Sequence, residues 1–138
     1  MPILRRRQGT STRSTATLPL EMREQLREPA LGAVPLDAEG STWAVATASS
    51  LVVFNGRSGP ETHPWDEVEQ GSWDGQDRVF TLRWTQQNRK DLALKVPAGV
   101  RNGDAYASAD VAPFAKALRQ RVEAAIIHSA VATLPSGA

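Results

Sequence analysis

Between Leu31 and Val96 the chain changes side-chain character every second residue. In Val79–Trp84, Phe80, Leu82 and Trp84 fall on one face, and Thr81 and Arg83 on the other. Thr42–Thr47 alternates in the same way, with Trp43 and Val45 sharing a face. This period of two predicts half-buried β-strands. Leu31–Leu36, interrupted by Pro35, reads as a first strand, and Leu51-Val52-Val53-Phe54 as a short apolar one. Leu92, Leu94 and Val96 supply the inward face of a later one. Turn residues separate these runs: Asp37-Ala38-Glu39-Gly40, Ala48-Ser49-Ser50, Asn55-Gly56 and Asp74-Gly75-Gln76-Asp77. Thr62–Trp65 and Val68–Trp73 read as one strand with an irregularity, since a turn at Asp66-Glu67 lets both Trp65 and Val68 face a core. Gly71 is expected to mark a bulge, and the segment from Pro97 to Ser108 to be a loop.

The period becomes helical at the two ends. Leu18, Met22 and Leu26 form one narrow stripe, so a short amphipathic helix is expected over 18–29, with Thr17 as its cap and Pro19 in its first turn. At the other end Asp110 is placed to cap a longer helix. Val111, Phe114, Leu118, Val122, Ala125 and Ile126 lie along its stripe, and Lys116, Arg119, Gln120 and Glu123 mostly opposite. Helical patterning is absent between the strands, which excludes a parallel βαβ sheet. The expected organisation is a disordered basic arm over 1–17, the short helix, a domain over 31–128, and a tail over 129–138.

Composition narrows the chemistry. The chain has 138 residues and no cysteine, so disulfides and thiolate chemistry are excluded. A reducing, cytoplasmic compartment fits this, and the sequence has no apolar run long enough to cross a bilayer and no secretory signal. Sixteen Lys and Arg balance fifteen Asp and Glu. Arg5, Arg6, Arg7 and Arg13 nevertheless cluster in an arm without acids, which makes anionic lipid or nucleic acid an alternative partner. Each basic contact to a lipid surface is worth only about 1 kcal/mol, and no aromatic residue is interleaved for base stacking. His63 with Asp66 and Glu67 is the one group resembling acid–base equipment, but it has no neighbouring nucleophile and no second histidine. The chain is therefore expected not to be an enzyme and to need no cofactor or metal. Among Trp43, Trp65, Trp73 and Trp84, core or edge packing is the default reading, and Trp73, beside Gly71 and Asp74, is the one expected to be partly exposed.

Short antiparallel strands, a Trp–x–x–Val step and a final helix resemble the layout of pleckstrin-homology-like (PH-like) domains. Trp43–Thr47 followed by Leu51–Phe54 is similar to the second and third strands of small bacterial, actinobacterial-type PH-like proteins. Pro64-Trp65-Asp66-Glu67-Val68 followed by Trp73-Asp74 is similar to their fourth and fifth. The resemblance covers about Leu31 to Ile127. It implies an α+β, mainly β fold, in which bent antiparallel sheets or an open barrel of six to seven strands are capped by the C-terminal helix. It also implies a binding module for a protein, peptide or lipid head group. In lipid-binding PH domains the first strand–strand loop is basic, whereas here Asp37-Ala38-Glu39-Gly40 is acidic, which favours a protein or peptide. Trp73, the arm residues Arg5, Arg6 and Arg7, and the stripe Leu18, Met22 and Leu26 are the candidate partner-binding residues.

Overall fold

The computed structural model describes residues 15–56 and 59–133, with side chains through Ala125 except that of Asn102. It is mainly β, with antiparallel sheets and one long C-terminal helix, Ala112–Thr133. The first sheet is the meander β1 (Gly32–Pro35), β2 (Trp43–Ala46), β3 (Ser50–Phe54) and β4 (Pro60–Pro64). The second contains β5 (Val68–Asp74), β6 (Val79–Trp84) and β7 (Leu92–Lys95). A separate hairpin pairs β8 (Gly99–Asn102) with β9 (Ala105–Ser108). Among the described residues no closed barrel forms, and the prolines of the first sheet lie on its outer strands β1 and β4, where a missing donor breaks no ladder.

The chain passes from one sheet to the other through a 3-10 turn, Trp65–Glu67. This turn resets the register as the spacing of Trp65 and Val68 demands, and both residues are buried, at 4% and 1% exposure. Trp65 is fixed at the crossing because its indole Nε1 donates to the Thr47 carbonyl at 2.8 Å. The closing helix then lies across both sheets, against β1 and β2 on one side and the 3-10 turn and β5 on the other. Asp110 caps it, its carboxylate accepting from the Ala112 amide at 3.0 Å. Phe114, Leu118 and Val122 enter the main core with Val34, Leu51, Phe80 and Leu82. Gly32 is where strand and helix touch: a Cβ there comes within 2.7 Å of the Phe114 backbone.

Both faces of β1–β3 are buried, while β4 is largely exposed. Ala44, Ala46 and Leu51 face the main core, while Trp43, Val45, Val52 and Phe54 face outward onto the N-terminal segment. That segment is a strap rather than the helix expected over 18–29. The α-helix there is confined to Leu20–Arg23, and Pro19, not Thr17, precedes it, without a side-chain cap. A stripe of one residue per turn cannot sustain an isolated helix, but it can lay Leu18, Met22 and Leu26 on a sheet.

Three further expectations are corrected. The segment 97–108 is not a loop but the β8–β9 hairpin, turning at Gly103 with φ of 66°, so the described residues hold nine strands rather than six or seven. Its strands mix Gly, Arg and Ala and carry little alternation, and Tyr106 covers the bare backbone of Gly99. The closing helix continues past Ser129 to Thr133, into the expected tail. The β5 bulge lies between Val68 and Gln70, not at Gly71.

Candidate functional site

β5 is a terminal strand of its sheet, so among the described residues one of its edges has no strand partner. The closing helix packs against this strand, and the two enclose a groove of about 270 Å³. Gln70, Gly71, Ser72 and Trp73 of β5 form one wall, and Leu118, Arg119, Val122 and Glu123 of the helix form the other. Phe80 of β6 lines it as well. Gly71 sets the width, because a Cβ at this position comes to 3.1 Å from Leu118. An isolated glycine in a strand marks a bulge or a close approach, and here it is the approach.

The apolar surface of the groove is built from packed aromatic rings. The Trp73 and Phe80 rings lie 4.3 Å apart, and Phe80 meets Phe114 edge-on at 4.9 Å. Trp73 is half-buried, whereas Trp43, Trp65 and Trp84 are buried and each donates its indole proton to a backbone carbonyl, of Gly40, Thr47 and Lys90 respectively. Trp73 is thus the tryptophan set apart by position, with the Arg78 guanidinium 5.8 Å over its ring. Around the rim Glu69 faces Arg83 at 4.0 Å, an exposed pair of little energetic weight. The side chains of Gln70, Ser72, Arg119 and Glu123 have no hydrogen-bond or ion-pair partner among the described residues. A groove with an apolar floor, a free strand edge and unpaired polar groups at its rim is suited to an extended peptide.

The other candidate residues lie elsewhere. Leu18 is buried, and Met22 and Leu26 pack against the same outer cluster, so their apolar surface is already engaged within the chain. Arg5, Arg6 and Arg7 lie outside the described residues. The acidic β1–β2 connection is tied on itself: Asp37 accepts from the Ser41 hydroxyl and amide and from the Thr42 hydroxyl. Partial desolvation pushes the Asp37 carboxyl up, but the bonds from Ser41, Thr42 and Gly40 outweigh it and hold it below its ordinary value. His63 and Glu67 do not meet as an acid–base pair, since both face Arg89. The described residues contain no group of His, Asp and Glu arranged to hold a metal ion, and no helix long and apolar enough to cross a membrane.

The sequence singles out Trp73 by its neighbours, but not the part Gly71 plays in setting the width of the groove. The stripe holding Leu118 and Val122 was legible, yet a stripe that fills a core looks the same as one whose margin lines a groove. No protein-family model, no curated protein and no solved structure matches this chain.

Proposed function

We propose that the chain is a non-enzymatic, PH-like interaction module of the cytosol that binds an extended protein segment or peptide in the groove between β5 and the closing helix. The observation that carries this reading is a strand edge that is unpaired among the described residues, beside an apolar trough with polar groups at its rim that have no partner among them. The succession of a four-stranded meander, a three-stranded meander and a closing helix supports the PH-like assignment. The acidic character of the β1–β2 connection supports a peptide over an anionic head group.

A peptide in this groove adds a strand to β5, so main-chain hydrogen bonds supply affinity and side-chain pockets supply selectivity. The pocket beside Gly71 and Trp73 takes an apolar side chain, and Gln70, Ser72, Arg119 and Glu123 serve polar neighbours. The test is selection of peptides from a random-sequence display library on the full chain, followed by binding measurements with Trp73→Ala. Truncating an aromatic anchor is expected to weaken the selected peptides about tenfold or more. Peptides that bind Trp73→Ala as tightly as the parent contradict the reading. Binding that instead vanishes in an Arg5/Arg6/Arg7→Ala variant, or with added salt, supports the anionic-surface alternative.

A further inference from the structure

We propose that His63 is a protonation-gated latch for the loop between β6 and β7. The side chain lies on β4 at the seam between the sheets, only 14% exposed. Its Nδ1 is 3.0 Å from Arg89 Nη2. A guanidinium can only donate, so Nδ1 is an acceptor and the ring proton sits on Nε2. That Nε2 is sealed from solvent without a hydrogen-bond partner and faces the Glu61 carboxylate at 3.5 Å.

Arg89 joins three elements to its own loop. Its other terminal nitrogen donates to Glu67 of the 3-10 turn at 3.0 Å, and its guanidinium lies 3.6 Å over the Trp84 ring of β6. The His63 ring flanks the same indole at 5.0 Å. The groups facing His63 are therefore Glu61 on its own strand, Arg89 from the loop with Glu67 behind it, and the Trp84 ring, while across the strand pair on β3 stands Leu51. The loop is otherwise held by the Trp84 indole on the Lys90 carbonyl and the Thr85 amide on the Glu67 carbonyl.

A second proton on His63 goes to Nδ1, where it meets the Arg89 N–H instead of a lone pair. One hydrogen bond is lost, and two cations are left in contact. Glu61 stands ready to hold the imidazolium through Nε2. Arg89 then keeps its half-exposed pair with Glu67, which is weak in water, and its stack on the Trp84 ring, both opposed by the new charge beside it. Arg89 therefore leaves the Trp84 face, and the loop loosens at the root of β5.

The test is an NMR pH titration of the full chain, following the His63 ring, the Arg89 Nε–H signal and the Trp84 indole N–H. As His63 protonates, the Arg89 signal is expected to be lost to solvent exchange and the Trp84 indole signal to shift. In His63→Gln, which keeps an acceptor but does not titrate there, both signals are expected to persist over the same range. Arg89→Ala is expected to show at neutral pH the Trp84 shift that comes from losing the stacked guanidinium, leaving on acidification only the smaller response to the imidazolium itself. An Arg89 signal that survives His63 protonation, an unchanged transition in His63→Gln, or a Trp84 response in Arg89→Ala as large as the parent's overturns the proposal.

Discussion

Gly71 of β5 and Leu118 of the closing helix lie so close that a Cβ on the glycine comes to 3.1 Å from the leucine side chain. This approach fixes the distance between the free strand edge and the helix. Gly71→Val is expected to push Leu118 across the groove, costing about 1–3 kcal/mol by overpacking and abolishing peptide binding. Urea denaturation gives the first quantity and fluorescence anisotropy with a selected peptide the second. Retained affinity places the ligand elsewhere.

Gly32 makes a harder contact, because its neighbour is backbone rather than a movable side chain. Gly32→Ala is expected to lift the first turn of the closing helix off β1 and to destabilise the fold by more than about 2 kcal/mol. Gly75→Ala is the matched control: there the nearest atom is the Trp73 indole nitrogen at 3.5 Å, an ordinary contact. Thermal unfolding of the two variants compares them directly, and equal melting temperatures contradict the strand–helix contact.

Leu18 anchors the strap with 6% of its surface exposed, whereas Leu20, two residues on, is 65% exposed. Leu18→Ala is expected to cost about 2–5 kcal/mol, and Leu20→Ala less than about 0.5 kcal/mol. For the same reason a chain starting at residue 30 is expected to lose stability and to expose the apolar face of Trp43, Val45, Val52 and Phe54. Dye binding and urea midpoints check this. A truncated chain as stable as the parent removes the strap from the core.

The far end of the strap is tied by Glu28, whose carboxylate accepts the Ser49 hydroxyl at 2.6 Å and the Ser49 amide at 3.1 Å. Hydrogen bonds from the Ser49 side chain, Thr47 and the Ser49 backbone hold its pKa below the ordinary value. A carboxyl depressed in the folded state stabilises above its unfolded pKa and loses that contribution as the pH falls through the folded one. The difference in stability between the parent and Glu28→Gln is therefore expected to be full at neutral pH and to shrink below about pH 4, the ordinary carboxylate range. Urea midpoints from pH 7 to pH 3 measure it. A difference independent of pH contradicts the Glu28–Ser49 tie.

The strands were legible where two faces differ. The parity of Val79–Trp84 identified Phe80, Leu82 and Trp84 as core, and all three are buried. Parity also separated Trp43 and Val45 from Ala44 and Ala46, but not the fact that each set has its own cover. That fact depends on where the strap lies, a tertiary relation with no local signature. The β8–β9 hairpin was hidden because its strands pack few large apolar residues, although Asn102-Gly103 is a hairpin turn signal. The partial exposure expected of Trp73 matches its half-buried position, while the groove around it depends on a helix that lies some forty residues further along the chain.

Amide hydrogen exchange of the full chain, with and without a display-selected peptide at saturation, tests the β5 groove most directly. Strand addition leads to slowing by about tenfold or more at alternate amides of Glu69–Asp74, together with protection along the facing turns of the closing helix. Unchanged exchange along β5 in the presence of bound peptide, or protection confined to β1–β4, contradicts the groove as the binding site.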